Sequence, residues 1–497
     1  MTGFWGAAGS KKRSIKKRRR RGERDNLPVS PVLNSKPCFP MAYYLLLTFG
    51  CKVNQYDSAA MAQELGGQGW QAAPDGVAPD LILVNTCTVT ARADQEARQA
   101  IRRLHRKFPQ AVIWVTGCYA QRAPGELAAL PGIRGVLGNK EKLVLLSCLE
   151  QAWPDGRPLI RVGSFSPSES FSPPRKHPRV FPGHTRASLK VQDGCSHACT
   201  YCIVPRVRGP SRSLEPQGVE KSLLDLAQAG FREVVLTGVN LGQYGRDLQP
   251  STTLAALLRR LAASPWPLRL RLSSLEPQEI TFDLLKALEA FPGLCPHFHL
   301  PLQSGADEVL RAMHRPYRAK DFRQTVRELI QRFPDAALGL DVLVGFPTES
   351  GKNFEDTYNL VSSLPVAYLH VFRFSPRPGT PAAALPRLPD REVKARAQLL
   401  KELGQAKKRE YYQRQVGKVV EVLVEGPAPP KGWLKGLSAN YLRVELPGPL
   451  TWQNRRLAVR LRERRGEVLV GEAVADQALS GGLSLKETNK GRRSPSD

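Results

Sequence analysis

The chain has 497 residues, enough for two to four domains with sizeable cores, and is strongly basic, with 73 Lys and Arg against 45 Asp and Glu for a formal charge of +28. No run reaches the roughly 18 uninterrupted apolar residues of a membrane span, and no apolar segment follows the N-terminal cations as a secretory leader requires. The charge favours polyanions, nucleic acid first, and nine cysteines, an odd number, point to metal ligation in a reducing cytoplasm more than to a disulfide framework.

Residues 1–40 hold 11 basic and 2 acidic side chains, including the run from Lys11 to Arg21. Low apolar content and high charge predict a disordered extension. Met41 opens the clean strand pattern Ala42 to Thr48, so translation starting there is favoured over a nucleic-acid-binding arm.

Residues 41–150 alternate strand and helix patterns. Tyr43–Phe49, Asp80–Asn85 and Ala111–Thr116 are short and almost wholly apolar, as strands buried on both faces of a parallel sheet are. Helices are predicted over Asn54–Leu65, closed by Gly66-Gly67, and Ala91–Lys107, closed by Phe108-Pro109. One cysteine follows each strand: Cys51, Cys87 and Cys118. Parallel strands deliver their carboxyl ends to one edge, where α/β sheets build sites, so three thiols far apart in sequence are expected to converge. Taken singly, each also reads as a small buried hydrophobe.

Residues 151–185, rich in Pro, Ser and Arg, read as a linker. A second α/β run covers 186–405, with strands predicted over 188–192, 233–239, 268–274, 297–302, 338–344 and 368–374. Helix-length gaps separate most of them, which describes a partial (β/α)6 barrel. Strand carboxyl ends line the site in barrels; here they are Thr237 to Asn240, Ser273 to Glu276, Gln303-Ser304, Asp341 and Phe374 to Arg377. Gly238 and Gly305 are expected where backbone approaches a ligand closely. Glu276 and Gln303 are candidate partners of a ribose or amino-acid group, with ordinary strand-end capping as the alternative.

Just after the first of these strands comes Cys195-Ser196-His197-Ala198-Cys199-Thr200-Tyr201-Cys202. Cysteine thiolates hold iron–sulfur clusters, and four would saturate a four-iron cubane. Three leave one iron open, as a catalytic metal site requires. A zinc knuckle, or unpaired structural cysteines, is the competing reading. His197 is expected to pack the loop.

A charged helix near 391–415 leads into 416–478, where apolar residues recur at every second position over 418–424, 441–445, 457–461 and 467–470. That predicts a small antiparallel β-barrel or sandwich. Arg and Lys alternate with the apolar positions, and Trp433 and Tyr441 lie among them, a composition suited to looped or single-stranded RNA; a structural cap is the alternative. Residues 479–497 read as a disordered tail, and Cys38, Cys148 and Cys295 as structural.

The 195–202 spacing resembles the signature of the radical S-adenosylmethionine (SAM) enzymes. Taken with Gly50-Cys51-Lys52-Val53-Asn54-Gln55, Asn85-Thr86-Cys87-Thr88-Val89, Gly117-Cys118-Tyr119-Ala120, Leu236 to Asn240, Leu272 to Pro277, His299 to Gly305 and Phe374 to Gly379, the chain over 41–476 is similar to the radical SAM methylthiotransferase family. The resemblance implies an N-terminal parallel α/β domain with three cluster cysteines, a central partial barrel and a C-terminal RNA-binding TRAM domain. It implies two 4Fe-4S clusters, one on Cys51, Cys87 and Cys118 and one on Cys195, Cys199 and Cys202. SAM would lie near Gly238, Asn240, Ser274, Glu276 and Gln303, with no catalytic side chain beyond the cluster ligands.

The lysine-containing first motif looks like the branch acting on N6-threonylcarbamoyladenosine beside the tRNA anticodon; the isopentenyladenosine branch usually has Gln-Met-Asn there. The implied reaction inserts a methylthio group at C2 with two SAM. The 195–202 cluster reduces one SAM to a 5′-deoxyadenosyl radical, and the other cluster carries the sulfur that the second SAM methylates. The partners implied are the tRNA anticodon loop, a reductant such as flavodoxin or ferredoxin, and a sulfur donor, with no membrane. Alternatives are the same chemistry on isopentenyladenosine tRNA or a ribosomal-protein aspartate and, from another class, a non-catalytic iron–sulfur RNA-binding protein. Gly345 to Ser350 departs from the Gly-Glu-Thr that relatives commonly carry after the proline, which bears on that loop's contacts.

Overall fold

Apolar runs with no polar alternation can be satisfied only by strands covered on both faces, and the first sheet is built of them. The computed structural model describes residues 42–149, 156–166, 168–174, 177–181 and 183–478; the expected N-terminal extension, Cys38 and the tail from 479 lie outside the described residues. Strands β1 (Tyr43–Thr48), β2 (Gln71–Ala72), β3 (Leu81–Thr86), β4 (Val112–Gly117), β5 (Ile133–Leu137) and β6 (Leu159–Arg161) form a parallel sheet in the order β2-β1-β3-β4-β5-β6. Ile82, Val84, Ile113 and Val115 pack on one face with the helix Ala91–Lys107, and Leu81, Leu83 and Trp114 pack on the other. That helix starts at Thr90, whose hydroxyl accepts from the Ala93 amide at 3.2 Å, and ends in His105-Arg106-Lys107, cap and charge both suited to the helix dipole.

The stretch expected to be a linker does more than link, because β6 lies within it and pairs with β5. A three-residue strand amid Pro and Ser has no periodicity to reveal it.

The central unit holds β7 (Ala187–Lys190), the short hairpin pair β8 (Gln192–Asp193) and β9 (Arg212–Ser213), then β10 (Glu233–Thr237), β11 (Arg269–Leu272), β12 (His297–Gln303), β13 (Ala337–Val344) and β14 (Tyr368–Arg373). Two parallel trios, β11-β10-β7 and β12-β13-β14, adjoin through a bridge between Leu270 and Leu294 and through the Leu275 amide donating to the His299 carbonyl at 3.0 Å. One continuous apolar core backs all six long strands, so the partial barrel is as expected. Its two outer strands are β7 and β14, and the first domain stands across the gap between them. On one side the helix Lys52–Gly67 packs against β7; on the other, Arg377 donates to Thr88 Oγ1 at 2.8 Å and Asp94 at 2.5 Å. This explains why helix 52–67 lacks an amphipathic pattern: besides Val53, Tyr56 and Met61 it buries Asn54, Asp57 and Ser58.

The helix Asp390–Gln413 runs from the barrel into the last unit, where β15 (Val419–Ala428), β16 (Trp433–Ser438), β17 (Arg443–Pro447), β18 (Arg456–Arg465) and β19 (Val468–Ala478) close in the order β15-β16-β17-β19-β18. The expectation of a wholly antiparallel sheet is corrected at one seam, since β17 and β19 pair in parallel. Closing five strands forces this, because an odd number cannot alternate direction all the way round. Strand β16 went unseen because Lys435-Gly436 interrupts its alternation.

The small barrel is locked onto the central one by charge. Glu233 receives Arg269 and Arg271, each at 2.7 Å, and the same guanidiniums reach over to the Leu437, Ser438 and Ala439 carbonyls at 2.9–3.1 Å. Burial works to raise the Glu233 carboxyl, but the two arginines outweigh it and hold it well below the usual carboxylate range. Among the described residues no helix is long and apolar enough to cross a membrane. Glu233→Gln leaves the buried Arg271 without a counter-charge and Arg269 with Glu421 alone, and is expected to destabilise the fold by about 3 kcal/mol, read as a lower denaturant midpoint.

Candidate active site lined by two cysteine triads

Cys51, Cys87 and Cys118 follow β1, β3 and β4, three adjacent strands of one sheet, so their shared phase becomes a shared edge. Cys51 precedes helix 52–67, and Cys118 opens the helix Cys118–Arg122. Gly50, at φ +96°, lets the first loop fold over the second: a Cβ there would lie 2.8 Å from Cys87 Cβ and 3.1 Å from its sulfur. The Asn54 amide pins this arrangement by donating to the Phe49 carbonyl at 2.7 Å and the Thr86 carbonyl at 3.0 Å. Asn139 points its amide at the Cys118 sulfur (3.7 Å) and donates to the Val207 carbonyl at 2.7 Å.

That last bond leads to the second triad. Residues 195–202 form a loop after β8, held by Cys195 N–H to the Gly209 carbonyl (3.0 Å), Thr200 N–H to the Met313 carbonyl (3.2 Å) and Cys202 N–H to the Cys199 carbonyl (3.1 Å). The helix Val204–Arg208 follows at once, and its Val207, with Ile203, packs on Cys118. The two triads therefore stand on segments in direct contact, with Cys118 and Ile203 in a common apolar cluster. His197 turns to Glu279, 3.8 Å away.

Burial raises the thiols: Cys87 to about 12, Cys195 to about 11 and Cys202 to about 12, with neighbouring cysteines adding to the effect in each set. A buried cation stands by each triad. Arg315 donates to the Cys199 sulfur at 3.3 Å and pairs with Glu276, while Arg208 counts Cys118 and Cys51 among its charged neighbours. Such sites favour a metal group that takes thiolates and displaces their protons.

The donor chemistry also bears on which group fits. Among the described residues, the close-set group with ligand atoms within 4.8 Å of one another is His299, Asp341 and His370, on β12, β13 and β14. Neither triad is drawn so tight, whereas a single tetrahedral ion with bonds of 2.3 Å holds its sulfurs about 3.8 Å apart. Three soft donors set wide, each set beside a guanidinium, fit a polynuclear cluster better than one zinc ion.

The sequence reading missed the group that joins the triads. Asp57 of helix 52–67 receives Lys142, Lys190 at 2.6 Å and Arg208 at 3.4 Å, and Asp193 receives Lys190 at 3.1 Å and Arg208 at 2.8 Å. All five side chains are buried. The available signal was Lys190 and Asp193 lying close together in and just after a segment expected to be a buried strand, which tolerates charges only when they are paired.

The residues expected around SAM divide. Asn240 is buried beside the 195–202 loop, its amide facing Cys195 and Glu279, and Gln303 sits half-buried at φ +64° on a bulge of β12. Ser274 is half-buried at the end of β11, and Glu276 is engaged by Arg315. At Gly238 an added Cβ would meet Gln192 Oε1 at 2.7 Å, and at Gly305 the Thr357 backbone at 2.6 Å, so both are closely packed on that side. Their small size serves packing. The departing loop at 345–350 is structural too, with Ser350 capping the helix Gly351–Ser363 and Glu349 paired to Arg396.

Residues 43–138 match the family model described as uncharacterized protein family UPF0004, and residues 189–361 match the radical SAM superfamily. The chain is 38% identical over 380 residues to a threonylcarbamoyladenosine tRNA methylthiotransferase MtaB of Aquifex aeolicus, covering 76% of this chain and 91% of that one. It is 35% identical to the Bacillus subtilis protein of the same name, covering 82% and 91%. A tRNA-2-methylthio-N(6)-dimethylallyladenosine synthase of Thermus thermophilus is 33% identical, covering 87% and 92%. Among solved structures, the radical SAM methyltransferase TsrM of Kitasatospora setae shares the fold at TM-score 0.51 and 18% identity, over 69% of this chain and 77% of that one.

The Asp57 carboxyl, raised by burial but lowered more by Lys142, Lys190 and Arg208, falls from 3.8 to about 2. A folded-state value below the unfolded one contributes stability that is full above about pH 4 and is lost as pH falls through about 2. Asp57→Asn is therefore expected to cost about 3 kcal/mol at neutral pH, with the gap to the wild type in denaturant midpoint closing across that acid window.

Proposed function

Because the chain belongs to the MtaB family of radical SAM methylthiotransferases, we propose that it inserts a methylthio group at C2 of N6-threonylcarbamoyladenosine beside the tRNA anticodon, with two SAM and two 4Fe-4S clusters. It is an enzyme that transfers a sulfur-containing group to tRNA. One observation carries the finer reading: two thiol triads from separate sheets stand on segments in direct contact, each beside a buried guanidinium.

Cys195, Cys199 and Cys202 would hold one cluster and Cys51, Cys87 and Cys118 the other. When bound, these groups supply the electron that cleaves SAM and the sulfur that becomes the methylthio group. The chain's part is to hold and orient. Arg315 and Arg208 offset the negative charge that three thiolates bring to each site. Asn240, at the carboxyl end of β10 beside the 195–202 loop, is read as a SAM contact together with Ser274, Gln303 and the Gly238 backbone, while Glu276 positions Arg315. Val207, Ile203 and the walls of the barrel keep water from the space between the triads. An unactivated aromatic C–H bond has no acidity for a His or Asp base to exploit.

The units 41–150, 186–405 and 416–478 are read as methylthiotransferase, radical SAM and TRAM-like domains. In the last, Lys431, Lys435 and Arg443 are exposed and Arg465 lies 5.7 Å over the Trp433 ring, which suits phosphates and stacked bases. The reading adds a reductant of the flavodoxin or ferredoxin kind, a sulfur donor and a cytoplasmic setting.

Anaerobic reconstitution should give about eight irons per chain, two cubanes of four. Cys87→Ala is expected to lose half of them yet still release 5′-deoxyadenosine from SAM, whereas Cys199→Ala should abolish that release. Mass spectrometry of tRNA nucleosides from cells lacking the protein tests the substrate. Loss of the 2-methylthio threonylcarbamoyl nucleoside supports the assignment, and loss of the dimethylallyl one instead assigns the protein to the rival substrate.

A further inference from the structure

Below the triads the inside of the barrel ends in a polar floor. His297 and His299, two residues apart on β12, face the same side. Tyr368 of β14 lies across Gly339, where a Cβ would come within 2.0 Å of its ring, and brings its hydroxyl to His297 Nε2 at 2.7 Å and His299 Nδ1 at 3.1 Å. From the small C-terminal barrel, Tyr441 stacks on His297 with centroids 4.0 Å apart, and Arg271 lies 5.2 Å over the other ring. His297 is 2% exposed, and its Nδ1 has no hydrogen-bond partner among the described residues.

Lys52 enters this space from the first domain. It is the first residue of helix 52–67, next to Cys51, and its charged neighbours are Arg271, Arg186 and Glu233 on the barrel side; His297 in turn counts Lys52 among its own. Glu233 is already shared by Arg269, Arg271 and Arg186, and Glu425 and Glu421 serve Arg186 and Arg269. Among the described residues no carboxylate stands within ion-pair distance of the Lys52 ammonium. A cation left unpaired in a part-buried cavity is costly unless a ligand brings the counter-charge.

We infer that Lys52 and His297 form a subsite for an anionic substituent on N6 of the target adenosine, Lys52 pairing with its carboxylate and His297 Nδ1 serving a hydroxyl or urea group. This rests on the reading of the substrate as N6-threonylcarbamoyladenosine, whose substituent carries a carboxylate, a hydroxyl and a urea. Cys51 and Lys52 are consecutive, so the substituent would be gripped directly beside the triad that faces the reacting ring. An isoprenoid in the same place would leave the ammonium and the buried imidazole nitrogen unpaired, and a site built for polar groups rejects an analogue lacking them.

The test measures the affinity of the reconstituted holoenzyme for three anticodon stem-loops: one bearing N6-threonylcarbamoyladenosine, one bearing its neutral methyl ester and one bearing plain adenosine. Turnover is followed in parallel. The wild type should bind the acid at least about 10-fold more tightly than the ester. Lys52→Met should erase that preference and Lys52→Arg should retain it, with iron content confirming that the neighbouring triad is intact. Equal binding of acid and ester by the wild type, or a Lys52→Met protein that keeps the preference, overturns the subsite while methylthiolation of the acid continues. A wild type that turns over neither form overturns the substrate reading, and the subsite with it.

Discussion

Five buried charges hold the two halves of the site in register. Asp57 and Asp193 share Lys142, Lys190 and Arg208, and these residues come from both the first domain and the barrel. Low dielectric makes such a network strong when complete and costly when broken, since removing one member strands the rest. Apolar packing alone would let helix 52–67 slide on β7; directional bonds to fixed carboxylates do not. With Arg377 clasping Asp94 on the far side, the first sheet is fastened to both outer strands of an unclosed barrel.

That fastening is what makes two triads into one site. Cys118 meets Ile203 and Val207 where Arg208 ties its helix to Asn54 and Asp57 and Asn139 bonds the Val207 carbonyl. The network also carries one more cation than carboxylate, and the surplus lies on the side of the sulfurs. Buried thiols stay protonated by themselves, so the structure sets two opposing pressures against each other: burial that disfavours thiolate, and guanidiniums that welcome it. A bound metal group resolves the contest in favour of the anion.

The small C-terminal barrel has a second role besides its basic exterior. Through Arg269, Arg271 and Tyr441 it forms the floor of the central barrel, so a unit read as a nucleic-acid module also shapes the interior of the chamber. Its five strands close through the parallel seam of β17 and β19, and the turn from Ser438 to Tyr441 is the part that meets Arg271 and His297.

Much of this was legible in the primary structure because local rules sufficed. Unbroken apolar runs marked the buried parallel strands, and helix Ala91–Lys107 carried its cap and charges in plain view. Cysteines at a constant phase after three strands announced a common edge. Short elements escaped: β6 amid prolines and serines, and β16 with its glycine, lack enough residues to show a period. A glycine in sequence says only that space is needed, and at Gly238 and Gly305 protein atoms crowd the Cβ side. Composition, periodicity and motif spacing thus determined the fold class, the order of the domains and the two sets of thiols. Only the tertiary structure decided how the sets face each other, which cations stand beside them and that Lys52 has no carboxylate within ion-pair distance among the described residues. Those relations join residues from 68 to more than a hundred positions apart, and pairing at that distance depends on how surfaces dock, which no local pattern encodes.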